Sequence, residues 1–104
     1  MDTLGLERLV SEHSTVVAVK DQVSADLAGE AAILNLKSGV YYGLNAVGAR
    51  IWQLIQEPMT VTTIRDTLLE EYEVESDSCE RDLLALLQDL AIAGLIEVRD
   101  EAAA

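Results

Sequence analysis

Two apolar runs, residues 31–36 and 40–44, flank Lys37-Ser38-Gly39, and this arrangement constrains the fold more than any other feature of the chain. Such runs suit a pleated surface, and a glycine able to adopt a left-handed conformation can close a bulged hairpin over a three-residue connection. Pairing Leu36 with Val40 sets Leu34 opposite Tyr42 and Ala32 opposite Leu44. One face is then apolar, and Asn35 and Tyr41 lie on the other. A slip of one residue would bury Asn35. An isolated hairpin is marginal in water, so the apolar face must be covered by the helices that follow.

Before the hairpin, Val16, Val17 and Val19 favour a first strand over residues 15–20. Residues 1–12 carry Leu4, Leu6, Leu9 and Val10 with no clear start or stop signal, and a short helix and a flexible arm both stay open. After the hairpin, Asn45 is placed to cap a helix reaching about residue 56, with Val47, Ile51, Leu54 and Ile55 on one side and Trp52 widening the stripe. Glu57-Pro58 stops it. Thr60 offers a second cap, and Val61, Ile64, Leu68 and Tyr72 recur at helical spacing. A third helix begins at Ser76 and Asp77, with Glu80 completing a capping box and Gly94 as a left-handed C-terminal stop. Leu83, Leu86, Leu87 and Leu90 form its core stripe, while Leu84, Ala91 and Ala93 carry the apolar surface beyond it. Residues 95–99 alternate and suit a short closing strand. The organisation expected is an N-terminal arm over 1–14, one domain over 15–99 and a frayed tail over 100–104.

Composition excludes several functions. Nineteen acidic against seven basic residues give a net charge of −12, which repels nucleic-acid phosphates. A three-helix DNA-binding regulator therefore lacks the basic recognition helix it would need. The apolar runs are too often interrupted by charge for a membrane span. With one cysteine and no secretory signal pattern, a cytoplasmic location is expected. His13 and Cys79 stand alone in their types, so no zinc-type ligand set can be assembled, and the glycines follow no nucleotide-binding spacing. A Cys79–His13 nucleophilic pair is formally possible, but a cysteine near the start of an amphipathic helix reads first as a small packed residue. The carboxylates are dispersed along outer helix faces, as solvated surface is. No enzyme, metal or cofactor is expected.

What remains is a sheet edge beside a helix with surplus apolar surface. An extended peptide uses both: the edge for backbone hydrogen bonds and the groove for alternate side chains. Deeper burial of the third helix, or self-association through it into a homodimer, explains the same width.

The segment GEAAILNLKSGVYYGLNAVGARIWQLI, residues 29–55, resembles the PqqD family, as do Thr60-Val61 with the helix after them and ERDLLALLQDLAIAGLIEV, residues 80–98. The Tyr-Tyr-x-Leu-Asn, Gly-Ala-x-Ile-Trp and Ala-Gly-Leu elements make the resemblance specific by occurring together over residues 16–98. It implies an α+β fold, a winged helix-turn-helix with an N-terminal three-stranded antiparallel sheet and three helices. It also implies a non-catalytic element that binds the leader of a ribosomally made precursor peptide. The partner enzyme implied is a cysteine leader peptidase in lasso-peptide synthesis, the assignment favoured here, or a radical SAM enzyme in pyrroloquinoline quinone synthesis. The family's mode adds the leader as an antiparallel strand along Val40, Tyr41, Tyr42, Gly43 and Leu44. Its side chains would enter a groove lined by Leu84, Leu87, Gln88 and Ala91, with Arg81 and Asp82 at the entrance. Tyr42, Leu44 and Leu87 read equally well as core, Asn45 as a cap and Trp52 as core.

Overall fold

The β-branched segment expected to open the domain forms a strand, but it does not join the hairpin. A computed structural model describes residues 10–100; the expectations for residues 1–9 and 101–104 lie outside it. In chain order the elements are β1 (Ser14–Ala18), β2 (Gln22–Leu27), β3 (Glu30–Asn35), β4 (Tyr41–Leu44), α1 (Ala46–Leu54), β5 (Met59–Thr60), α2 (Val61–Glu71), α3 (Ser76–Ile92) and β6 (Ile96–Asp100). They build an α+β fold with three helices and two three-stranded antiparallel sheets, β5-β1-β6 and β2-β3-β4.

This corrects the expected membership of the N-terminal sheet. The partner of the hairpin is β2, not the segment over 15–20, and β1 instead pairs with β6 through Val16 opposite Val98 and with β5 through Val16 opposite Met59. Gln22, Ser24 and Asp26 alternate with Val23, Ala25 and Leu27, and all but Gln22 are exposed, so β2 carries little of the burial signature that marks a strand. A two-residue turn joins β2 to β3, with Ala28 at φ +57° and Gly29 at φ +91°. Both values belong to the type I′ turn that matches strand twist.

The hairpin register is also corrected. Ile33 faces Tyr42 and Ala31 faces Leu44, one residue away from the expected pairing. Asn35 is the cause. Its Oδ1 accepts from the amides of Lys37 (2.9 Å) and Ser38 (3.2 Å), which folds the chain into a turn one residue sooner and moves Leu36 into the loop. Its Nδ2 donates to the carbonyls of Gly94 (3.0 Å) and Ala93 (3.3 Å) beyond α3. The burial that disfavoured this register costs little when four hydrogen bonds replace water. Ile33 is consequently buried, and Leu34 and Leu36 are exposed.

The helices start largely where their caps indicate. Asn45 Oδ1 accepts from the Gly48 amide at 2.9 Å, and Thr60 Oγ1 from the Thr63 amide at 3.2 Å. The capping box expected at Asp77 and Glu80 does not form: the N-cap is Glu75, which makes no side-chain capping bond, and Glu80 instead pairs with Arg65 on α2 at 3.2 Å. α3 ends at Gly94 in the left-handed region, φ +74°. The Leu95 amide reaches back to the Leu90 carbonyl (2.9 Å) and the Gly94 amide to that of Ala91 (3.0 Å), the paired bonds of a Schellman stop. A Cβ at Gly94 would also lie 3.1 Å from Asn35 Nδ2, so the hairpin turn and the helix stop are fitted to each other.

One core unites the two sheets. Val16 of β1, Ile33 and Leu44 of the hairpin, Ile51 and Trp52 of α1, Ile64 and Leu68 of α2, and Leu83, Leu87 and Leu90 of α3 belong to one buried cluster. Each such side chain contributes about 1.5–3 kcal/mol on burial.

Candidate functional site

The outer edge of β4 is the starting point, because the strand ends the order β2-β3-β4. The Asn35 amide donates to the Val40 carbonyl at 2.8 Å, which makes that opposed pair a hydrogen-bonded one. Bonded pairs recur every second residue in an antiparallel ladder, so Tyr42 and Leu44 bond to β3 while Tyr41 and Gly43 direct their N–H and C=O groups outward.

Beside this edge lies a cleft of about 440 Å³. Tyr42, Gly43 and Leu44 of β4 form one wall, and Val47, Gly48 and Ile51 of α1 adjoin it. Leu68 of α2, with Tyr72 and Val74 after it, faces Ser78, Cys79, Asp82, Leu83 and Leu86 of α3. Gly48 lets α1 approach the strand: a Cβ there would meet Leu44 Cδ2 at 3.1 Å and Leu44 Cβ at 3.2 Å. Two ion pairs tie the three helices together, Arg50 to Glu71 at 2.7 Å and Arg65 to Glu80 at 3.2 Å. The Arg50 guanidinium holds the Glu71 carboxyl below the usual carboxylate range. Tyr42 reaches across to α3, where its hydroxyl donates to Asp89 Oδ2 at 3.5 Å; burial, then the Asp89 charge, push the phenol up.

Burial pushes the Cys79 thiol up; Arg65, the next largest influence, pulls it down, and Asp82 and then Glu80 add to the rise, so the thiolate is disfavoured. His13 is not among the lining residues. No group of three potential metal ligands is gathered among the described residues, and no helix among them is long and apolar enough to cross a membrane.

Of the residues singled out from the sequence, Tyr42, Gly43, Leu44 and Asp82 line this cleft. Tyr41 projects on the opposite face of the sheet, 67% exposed, and Val40 sits at the exposed entry to the strand. On α3 the cleft-facing stripe differs from the expected one. Leu87 is fully buried, Leu84 and Ala91 pack against the core, Arg81 is exposed, and Gln88 Oε1 accepts from the Val10 amide at 3.0 Å. The apolar surface of α3 spreads to both sides of Leu83, Leu87 and Leu90, and sequence spacing does not say which side is covered. Val10 lies against the Gln88 side, leaving the side of Cys79, Asp82 and Leu86 to the cleft. Val47, which spacing groups with Ile51 in the apolar stripe of α1, is left exposed on the cleft, and Val74, also exposed there, had no sequence signal beyond its hydropathy.

Comparison with known proteins adds three findings. The model of the family described as coenzyme PQQ synthesis protein D (PqqD) matches residues 30–96. The structure of TbiB1 in complex with the TbiA(beta) leader peptide is similar with a TM-score of 0.72 and 40% identity, covering 78% of this chain and 94% of that one. A lasso peptide synthetase B1 complexed with the leader peptide is similar with a TM-score of 0.69 and 28% identity, covering 79% and 96% of the two chains. No curated protein matches.

Proposed function

This chain belongs to the PqqD family, and on that basis we propose that it is a non-catalytic recognition element that captures the leader of a ribosomally made precursor as an added strand on β4. In this reading it presents the leader to a modifying enzyme, a cysteine leader peptidase of lasso-peptide synthesis. The observation that carries the reading is the outward-pointing backbone of Tyr41 and Gly43 beside an apolar cleft. The leader peptides bound by the two similar proteins support it.

The ladder fixes how such a guest would be read. An antiparallel guest exchanges hydrogen bonds with Tyr41 and Gly43, and its residues opposite Tyr42 and Leu44 turn their side chains to the cleft. Two apolar anchors separated by one residue therefore carry the side-chain recognition, between β4 and the Cys79–Asp82–Leu86 side of α3. The residue between them faces the other side of the sheet, where Val23, Leu34 and Tyr41 are exposed and accessible to a modifying enzyme. In the winged helix-turn-helix reading of this fold, β4 is the edge strand that receives the guest, and β3 lies behind it, paired on both sides.

Titrating the protein with the TbiA(beta) leader peptide while recording backbone amide spectra tests this. Saturable shifts at residues 41–44 are expected, with Leu86→Glu abolishing binding and leaving the far-ultraviolet spectrum unchanged. Saturable binding that leaves 41–44 unmoved contradicts strand addition.

A further inference from the structure

The charges at the cleft are unevenly settled. Arg65 pairs with Asp66 and Glu80, each at 3.2 Å, and Arg50 with Glu71 at 2.7 Å, so the basic residues of α1 and α2 beside the cleft are engaged. Arg81 is exposed and does not line the cleft; its guanidinium reaches the cleft-lining Ser78 Oγ at 3.5 Å and makes no ion pair with Asp82. Asp82 alone among the cleft-lining residues carries a charge. It makes no hydrogen bond or ion pair within the described residues.

A guest strand laid over the cleft removes water from this carboxylate. An ion that loses water without gaining a partner is costly to bury, so an apolar or acidic guest side chain here is penalised and a cationic one is favoured. The net charge of −12 acts in the same direction at long range, drawing cationic segments and repelling acidic ones. Resting on the leader-binding reading above, we infer that Asp82 is a specificity-determining residue that selects leader segments carrying a lysine or arginine beside the two apolar anchors.

A peptide array built on the TbiA(beta) leader, with each position replaced in turn by Lys, norleucine and Glu, tests the inference on the full chain. At one position Lys is expected to bind about three- to tenfold more tightly than norleucine, and Glu more weakly than either. In Asp82→Asn the ratio of Lys to norleucine affinity falls to about one, and in Asp82→Lys the order of Lys and Glu reverses. Asp82 is exposed, so both variants are expected to keep the native circular dichroism spectrum. If the array binds and shifts residues 41–44 but no position responds to Asp82, the inference is wrong and leader binding stands. If no peptide binds, or binding bypasses β4, the leader-binding reading and this inference fall together.

Discussion

Asn35 shows how one side chain can override a hydropathy pattern. By alternation it belongs on the outer face, opposite in sense to Leu34 and Leu36, yet its amide makes four hydrogen bonds that join the hairpin turn to the end of α3. Asn35→Leu restores the apolar pattern and removes all four; a loss of about 2–3 kcal/mol in urea unfolding is expected, and an unchanged midpoint would contradict this account. Ala28 is the converse case, a residue held where its type is disfavoured. At φ +57° a Cβ crowds the following carbonyl. Ala28→Asn, which tolerates this region and suits the first centre of a type I′ turn, is expected to gain about 0.5–1 kcal/mol. Neither position was legible in advance, because a side chain bonding to distant backbone and a strained turn leave no periodic trace.

At the scale of elements, the helices were the readable part. Asn45 and Thr60 each bond an amide of the first turn, and Gly94 supplies the left-handed stop, all local chemistry encoded within a few residues. β2 and β5 were not legible: the first is exposed along nearly its whole length, and the second has two residues whose pairing with β1 is a tertiary contact. The Arg50–Glu71 pair joins α1 to α2 beside the cleft and gives a pH dependence. Since the folded-state pKa of Glu71 is lowered, the unfolded chain binds more protons in acid, and the stabilisation is full above the ordinary carboxylate range. It is lost as pH falls from that range through the lowered value. Stability curves of the wild type and Glu71→Gln should therefore converge on acidification and separate near neutrality; a constant difference at every pH would refute the assignment.

For the molecule as a whole, the shared core predicts that the two sheets do not melt separately. Val16 and Ile96 from one and Ile33 and Leu44 from the other belong to the same buried cluster, and the Val19 amide bonds the Leu95 carbonyl at 3.0 Å. Trp52 fluorescence and far-ultraviolet circular dichroism should give one coincident urea transition; two resolved midpoints would show independent units. Saturating leader peptide should raise that midpoint in the wild type and not in Leu86→Glu, since a guest that binds only the folded state stabilises it by mass action. By itself the sequence determined the three helices, the Gly39-closed hairpin and the family to which they belong, because caps, stops and periodicity act over a few residues. Which strands share a sheet, which way Asn35 faces and which flank of α3 lines the cleft were decided only in three dimensions. Those outcomes depend on contacts between residues tens of positions apart, such as Asn35 with Gly94 and Val10 with Gln88, whose hydrogen bonds exist only once the chain has packed.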